Sequence, residues 1–306
     1  MKYNKITALT FCLIFCISAV AGAQGWMQDQ SSGRTPGLAP VRTQTTAHVP
    51  KNFTFAGQNI DLTRTDLYER MDREIIAFTF MHSTSILMLK RAGIYFPIVE
   101  PILKENGLPD DLKYIMVIES SLSPSARSSA GAAGMWQLMS ATAKELGLEV
   151  NANVDERYNI EKATRAACKY LKSAYAKYGD WLTVAASYNA GQGGISRRLE
   201  TQHQKKATDL WLVEETSRYM FRVMAAKMMF ENPAAFGFDV PASKRYKRNP
   251  PKEVVTVTNE IPNLIDFADR HGVRYMDLKQ ENLWLREDKL NNSSHKKYEI
   301  IIPDYE

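Results

Sequence analysis

Cysteine is scarce in this chain: three among 306 residues. Cys12 and Cys16 sit in an apolar run close to the start, so removal of that run leaves Cys168 alone and no internal disulfide can form. Stability must then come from a packed core, which fits a periplasm better than a harsh extracellular medium. Histidine is sparse too, with five scattered residues and neither an H-E-x-x-H motif nor a Cys–His cluster, so no metal site is expected. There is no G-x-S-x-G elbow. "GQGG" at residues 191–194 follows a helical stretch rather than a strand, which makes it a poor phosphate loop, and no cofactor is expected. No segment after residue 23 is apolar enough to span a membrane. Neither sign of charge dominates, with 39 basic and 34 acidic residues, so nucleic acid is not an expected partner.

What is present begins with "MKYNK", then "ITALTFCLIFCISAVAG", then an A-x-A site ending at Ala23. This pattern predicts a secretory signal peptide over 1–23 and an exported protein in the periplasm or cell envelope. Phe11 and Phe15 precede Cys12 and Cys16 where a lipidation site would want a small residue. Cleavage removes Lys2 and Lys5 and no acid, leaving 37 basic against 34 acidic residues and a net charge of +3.

Residues 24–60 are polar, punctuated by Pro and Gly and without period, and read as a flexible tether. From 61 to 235 the pattern is almost wholly helical. Leu67, Met71 and Ile75 recur every four residues, and Pro97 opens a segment that Gly107 stops. Pro109, Asp110 and Asp111 suit the first turn of a helix over "LPDDLKYIMVIESS". Asn159 starts a long amphipathic helix ended by Gly179. Asp180 caps the next, "WLTVAASYNA", which runs into a flexible "GQGG" loop. A further helix covers "VEETSRYMFRVMAAKMMF" up to Pro233. Residues 236–252, with the basic "SKRYKRNPP", read as a solvated linker. Residues 253–306 change character: strands "EVVTV" and "YEIIIP" enclose two short helices. The fold class is therefore mainly α, followed by a small α+β module of strand–helix–helix–strand order.

One acid stands out. In a helix over "DDLKYIMVIESS", Leu112, Ile115 and Glu119 share one stripe, so Glu119 continues an apolar face. Two accounts are open: a helix-terminal acid that snorkels to water, or a partly desolvated carboxyl whose pKa is raised for proton donation. The "SSAGAAG" that follows leaves room for a groove, and Gly131 and Gly134 permit close approach of a ligand. Beyond it lie Trp136 and Gln137, then Tyr188 and Asn189 at a helix end. Amides, a phenol and an indole suit a sugar site through hydrogen bonds and ring stacking. Cys168, in a helix among Ala and Lys, is a packed small residue.

"ESSLSPSARSSAGAAGMWQLM", then Asn159–Ile160, then "ASYNAGQGG" resemble, in order and spacing, the signature of soluble lytic transglycosylases, which share a lysozyme-like fold related to goose-type lysozymes. The match covers about residues 100–230 and is most similar to the membrane-bound transglycosylase D subgroup, whose catalytic domain precedes LysM modules. The resemblance implies a helical lysozyme-like domain, Glu119 as catalytic acid/base, and substrate contacts from Ser128, Gln137, Tyr188 and Asn189, with peptidoglycan glycan strands as the partner. Trp136 stands where that signature usually has Met, which bears on the shape of one sugar subsite. The C-terminal module resembles a LysM domain with a divergent start, "NEIPNL", and either binds sugar weakly or serves as a folded spacer.

Glycosidases commonly use two carboxyl groups, and this signature supplies one. Asp155, Glu161 and Asp180 sit at helix starts, where capping explains them. The resemblance implies how one acid suffices: Glu119 protonates the oxygen between N-acetylmuramic acid (MurNAc) and N-acetylglucosamine (GlcNAc), the muramoyl acetamido group stabilises C1, and Glu119 then draws the proton from the 6-hydroxyl that closes a 1,6-anhydro ring. An acid that later acts as base works best with a pKa on the order of 6 to 7. A goose-lysozyme-like hydrolase with a second carboxylate and a non-catalytic wall-binding protein are the alternatives.

Overall fold

The computed structural model describes residues 46–305; the expected signal peptide and most of the expected tether lie outside them. The end of that tether is not loose. Asn52–Phe55 (β1) and Gln58–Asp61 (β2) pair antiparallel, Phe55 opposite Gln58, around an Ala56–Gly57 turn with φ of +50° and +77°. Phe53 and Phe55 alternate inward at the two-residue period of a strand and are buried in the main core. The many polar residues before residue 50 mask this short alternation.

Thr65–Phe80 (α1) buries Leu67, Met71 and Ile75 as their spacing predicts. His82–Glu105 (α2) does not begin at Pro97; both Pro97 and Pro101 lie inside it. Each proline forfeits the hydrogen bond to the carbonyl four residues back. Burial of Leu89, Ala92, Val99, Ile102 and Leu103 carries the helix through these gaps. Lys113–Ser120 (α3) and Ser140–Glu145 (α4) follow, separated by a long irregular loop. Ile160–Tyr178 (α5) is capped by the Asn159 side chain, which accepts from Lys162 N, and ends at Gly179 in the left-handed region. Asp180 caps Trp181–Ala190 (α6) by accepting from Thr183 N. "GQGG" is not a flexible loop: Gly191 turns the chain at φ +78°, and Gln192–Thr201 (α7) continues as helix.

Glu214–Glu231 (α8) packs against α1, α3 and α6 and is buried nearly all round, as expected of the central helix of a bundle. Residues 236–252 are not a free linker. Phe236, Phe238 and Val240 join the core, and Tyr246 N donates to Lys90 O at 2.9 Å. Gly93 of α2 allows this approach, since a Cβ there would meet Tyr246 O at 2.3 Å.

The C-terminal module pairs Glu253–Val257 (β3) antiparallel with Tyr298–Ile302 (β4), Val255 opposite Ile300, and sets Leu264–Arg270 (α9) and Tyr275–Glu281 (α10) between them. Its apolar core, built from Leu264, Phe267, Leu278, Trp284 and Ile300 among others, is shared with three residues of the helical region: Ala133, Val154 and Tyr158.

Candidate active site

Glu119 occupies the last turn of α3. Ile115 and Leu112, one and two turns back on the same stripe, are fully buried, and Glu119 itself is half-buried. Directly after the helix, Ser121 and Leu122 adopt φ of +51° and +56°. Two consecutive non-glycine residues in that region carry strain; Arg91 holds the turn by donating to Ser121 O at 3.2 Å. Tyr219 of α8 donates its hydroxyl to Glu119 Oε1 at 2.6 Å.

Burial pushes the Glu119 carboxyl up to about 7. The Tyr219 hydrogen bond favours the ionised form and works against that rise, while the nearby charge of Glu215 adds to it. No cation among the described residues contributes, and the negative end of the α3 dipole disfavours ionisation further. The acid is therefore poised between donating and accepting a proton close to neutral pH.

The remaining expected residues divide. Tyr188 lies close enough for the Glu119 charge to help raise its pKa, yet its hydroxyl donates to Trp136 O at 2.7 Å. The hydroxyl that orients Glu119 is therefore that of Tyr219 and not that of Tyr188. Trp136 is no stacking platform: its ring is wholly buried and its Nε1 donates to Thr164 Oγ1 at 2.8 Å. Gln137, half-buried at φ +47°, spends its Nε2 on Ala126 O and Gly134 O at 3.1 and 2.8 Å, which ties the loop to itself. Ser128 is exposed and closes the loop's tip by accepting from Ala132 N at 3.0 Å. Asn189 accepts from Thr216 Oγ1 at 2.8 Å and donates to Glu215 at 3.4 Å, joining the end of α6 to the first turn of α8.

The small residues after Glu119 have a different cause from the one expected. Gly134 admits not a ligand but the protein's own backbone, since a Cβ there would meet Arg157 O at 1.9 Å. Gly131 has open space around it and serves its turn through φ +87° alone. Cys168 is buried and its thiol is pushed up to about 11, so it packs and does not react.

Two residues that act on Glu119, and one exposed aromatic, were not legible from the sequence. Tyr219 and Glu215 lie in "EETSRYM", which reads only as an amphipathic helix start. Trp211 is 88% exposed, with its backbone N and O both held by the Gln202 amide at 2.7 and 3.0 Å. A large indole left in solvent on an anchored backbone is a signal that structure gives and sequence does not.

A helical domain that presents a single desolvated, cation-free carboxylic acid between two helices is a candidate acid/base glycosidase site. The family comparison agrees: residues 96–211 match the transglycosylase SLT domain, and residues 253–306 match the soluble lytic transglycosylase C-terminal LysM-like domain. The chain thus carries an SLT transglycosylase domain followed by a LysM-like domain. It is 27% identical over 226 residues to membrane-bound lytic murein transglycosylase D of Escherichia coli (strain K12), covering 70% of this chain and 47% of that protein. It therefore spans about half the length of that relative. It is also 33% identical over 175 residues to the peptidoglycan transglycosylase gp16 of Escherichia phage T7, covering 53% of this chain and 13% of that protein. The 70 kDa soluble lytic transglycosylase from Escherichia coli superposes at a TM-score of 0.40 with 20% identity, over 51% of this chain and 27% of that one.

Proposed function

We propose that this protein is an exported peptidoglycan lytic transglycosylase of the cell envelope. It cleaves the β-1,4 bond from MurNAc to GlcNAc without water. The carrying observation is Glu119: a carboxyl held by Tyr219, out of reach of any described cation, with its pKa raised to about 7. Such a group is protonated often enough to donate to the glycosidic oxygen and, once ionised, is basic enough to take the proton of the muramoyl 6-hydroxyl. Bond cleavage at C1 and closure of the 6-oxygen onto C1 leave a 1,6-anhydro ring, with Glu119 reprotonated and no water consumed. The names of the relatives and the family of residues 96–211 support this substrate.

Gln137, Asn189 and Ser128 shape the groove and present their remaining polar valence to sugar hydroxyl and acetamido groups. Trp211, in the chain that leads into α8, takes over the ring-stacking role that Trp136 cannot perform. The LysM-like domain adds a weak affinity for glycan strands.

Glu215 favours a second reading. It is the other carboxylate whose charge acts on Glu119, and in a hydrolase it would activate water. Mass spectrometry of muropeptides released from purified peptidoglycan separates the two. Anhydro-muramic ends from the native chain and from Glu215→Gln, absent with Glu119→Gln, support the transglycosylase. Reducing ends from the native chain that vanish in Glu215→Gln overturn it in favour of hydrolysis.

A further inference from the structure

The loop that follows Glu119 is fastened at its back to the LysM-like module. Ala133, near the end of "SSAGAAG", is fully buried within the module's own apolar core, beside Val154 and Tyr158. Between loop and module runs the segment 153–157, which the module holds as it would a neighbouring strand. Asn153 O accepts from Arg286 N at 2.9 Å, its Nδ2 donates to Lys289 O at 2.8 Å, and its Oδ1 accepts from Asn291 N at 2.9 Å. Val154 bridges Leu285, and Asp155 N donates to Trp284 O at 2.9 Å.

From the same segment Arg157 reaches the other way. It is buried and paired with buried Asp155, Nη2 to Oδ2 at 2.7 Å and Nε to Oδ1 at 2.9 Å. That pairing leaves Nη1 to donate to Gly131 O at 2.8 Å and Leu138 O at 3.0 Å, the two ends of the loop's inner half. Gly134 abuts the Arg157 backbone. The residues between those anchors include Trp136, whose carbonyl fixes the Tyr188 hydroxyl, and Gln137. A buried guanidinium with a fixed fork geometry is suited to this task, since one planar group satisfies a carboxylate and two carbonyls together.

We infer that the LysM-like module is a brace for the catalytic groove, with Arg157 as the positioning residue that transmits its hold to the loop between Gly131 and Leu138. The inference rests on the proposed cleavage site for its kinetic consequence, and on the loop geometry alone for its structural one.

The full chain is compared with Arg157→Gln, with Arg157→Gln plus guanidinium at a non-denaturing concentration, and with Asn153→Ala, which loosens the module's side of the junction and spares Arg157. Two readouts are taken: amide hydrogen exchange, and steady-state release of muropeptides from purified peptidoglycan. Exchange over residues 128–138 is expected to accelerate about tenfold or more in both variants, as the side-chain hydrogen bonds that hold the loop or its junction are lost, while α5 and α8 keep their protection. KM is expected to rise with kcat held within about twofold, and guanidinium to recover it. Unchanged exchange over 128–138, or acceleration spread equally over the whole chain, overturns the brace. Lost activity without guanidinium rescue overturns the assignment to Arg157. No release by the native chain overturns the proposed activity instead, and the exchange result still decides the brace.

Discussion

At the scale of single residues, Glu119 carries opposite demands on stability and chemistry. Its folded pKa of about 7 exceeds the reference value of 4.5, so between those limits the folded chain binds more protons than the unfolded one. Stability therefore falls as pH rises through that window and levels off above it. Glu119→Gln removes the penalty: the variant is expected to be more stable than the native chain at pH 8 by ~2–3 kcal/mol, with the gap closing by pH 4. Chemical denaturation at both pH values checks this, and equal stability at pH 8 would contradict a raised pKa. The same variant is expected to release no muropeptide. Because the acid must start protonated, kcat/KM is expected to fall above pH about 7. Tyr219→Phe deletes a donor that favours the carboxylate, so that falling limb is expected to move to higher pH while the rate drops ~10–100-fold. A pH profile that stays in place would mean that Tyr219 only packs. Glu119 was legible because it continues the apolar stripe of Leu112 and Ile115. Tyr219 was not, because its partner lies 100 residues away and nothing in its own helix marks the phenol.

At the scale of elements, caps and stops set by one residue were readable, whereas loops defined by what they touch were not. Asn159, Gly179 and Asp180 act on atoms within four residues of themselves, so sequence alone locates the ends of α5 and α6. Pro97 misleads because tertiary burial outweighs a local break, and "GQGG" misleads because glycine permits helix as well as loop. The two glycines of the catalytic loop make the distinction measurable. Gly131→Ala is expected to cost ~1–2 kcal/mol, the strain of a left-handed alanine with free space around it. Gly134→Ala adds a collision with the Arg157 carbonyl and is expected to cost more than ~3 kcal/mol or to prevent folding. Equal costs in denaturant titrations would mean that the loop and Arg157 separate easily. Trp211→Ala, with its indole in solvent, is expected to leave the melting temperature unchanged and to raise KM about tenfold if the ring stacks on sugar; unchanged KM removes that role.

At the scale of the molecule, the two regions share interior. Tyr158 lies in the module's core with the Arg286 guanidinium 4.2 Å above its ring. Lys296 reaches back to Glu149 and Glu156 at 2.6 and 3.2 Å, and Tyr298 donates to Glu149 at 2.8 Å. An interface with apolar, backbone and ionic components together is expected to melt as one unit. Calorimetry of residues 24–306 should show a single transition; two resolved transitions would make the module an independent appendage. Sequence alone determined the helical class, the helix caps and the strand–helix–helix–strand order of the module, because each rests on periodicity or on contacts between near neighbours, and it singled out Glu119 through its apolar stripe together with the family resemblance. Only the tertiary structure decided that Tyr219 rather than Tyr188 holds that acid, that Trp136 is core, and that the small residues of the loop serve Arg157 and the module. Those contacts join segments from 19 to more than 150 residues apart, and local pattern carries no record of which distant surface a residue will meet.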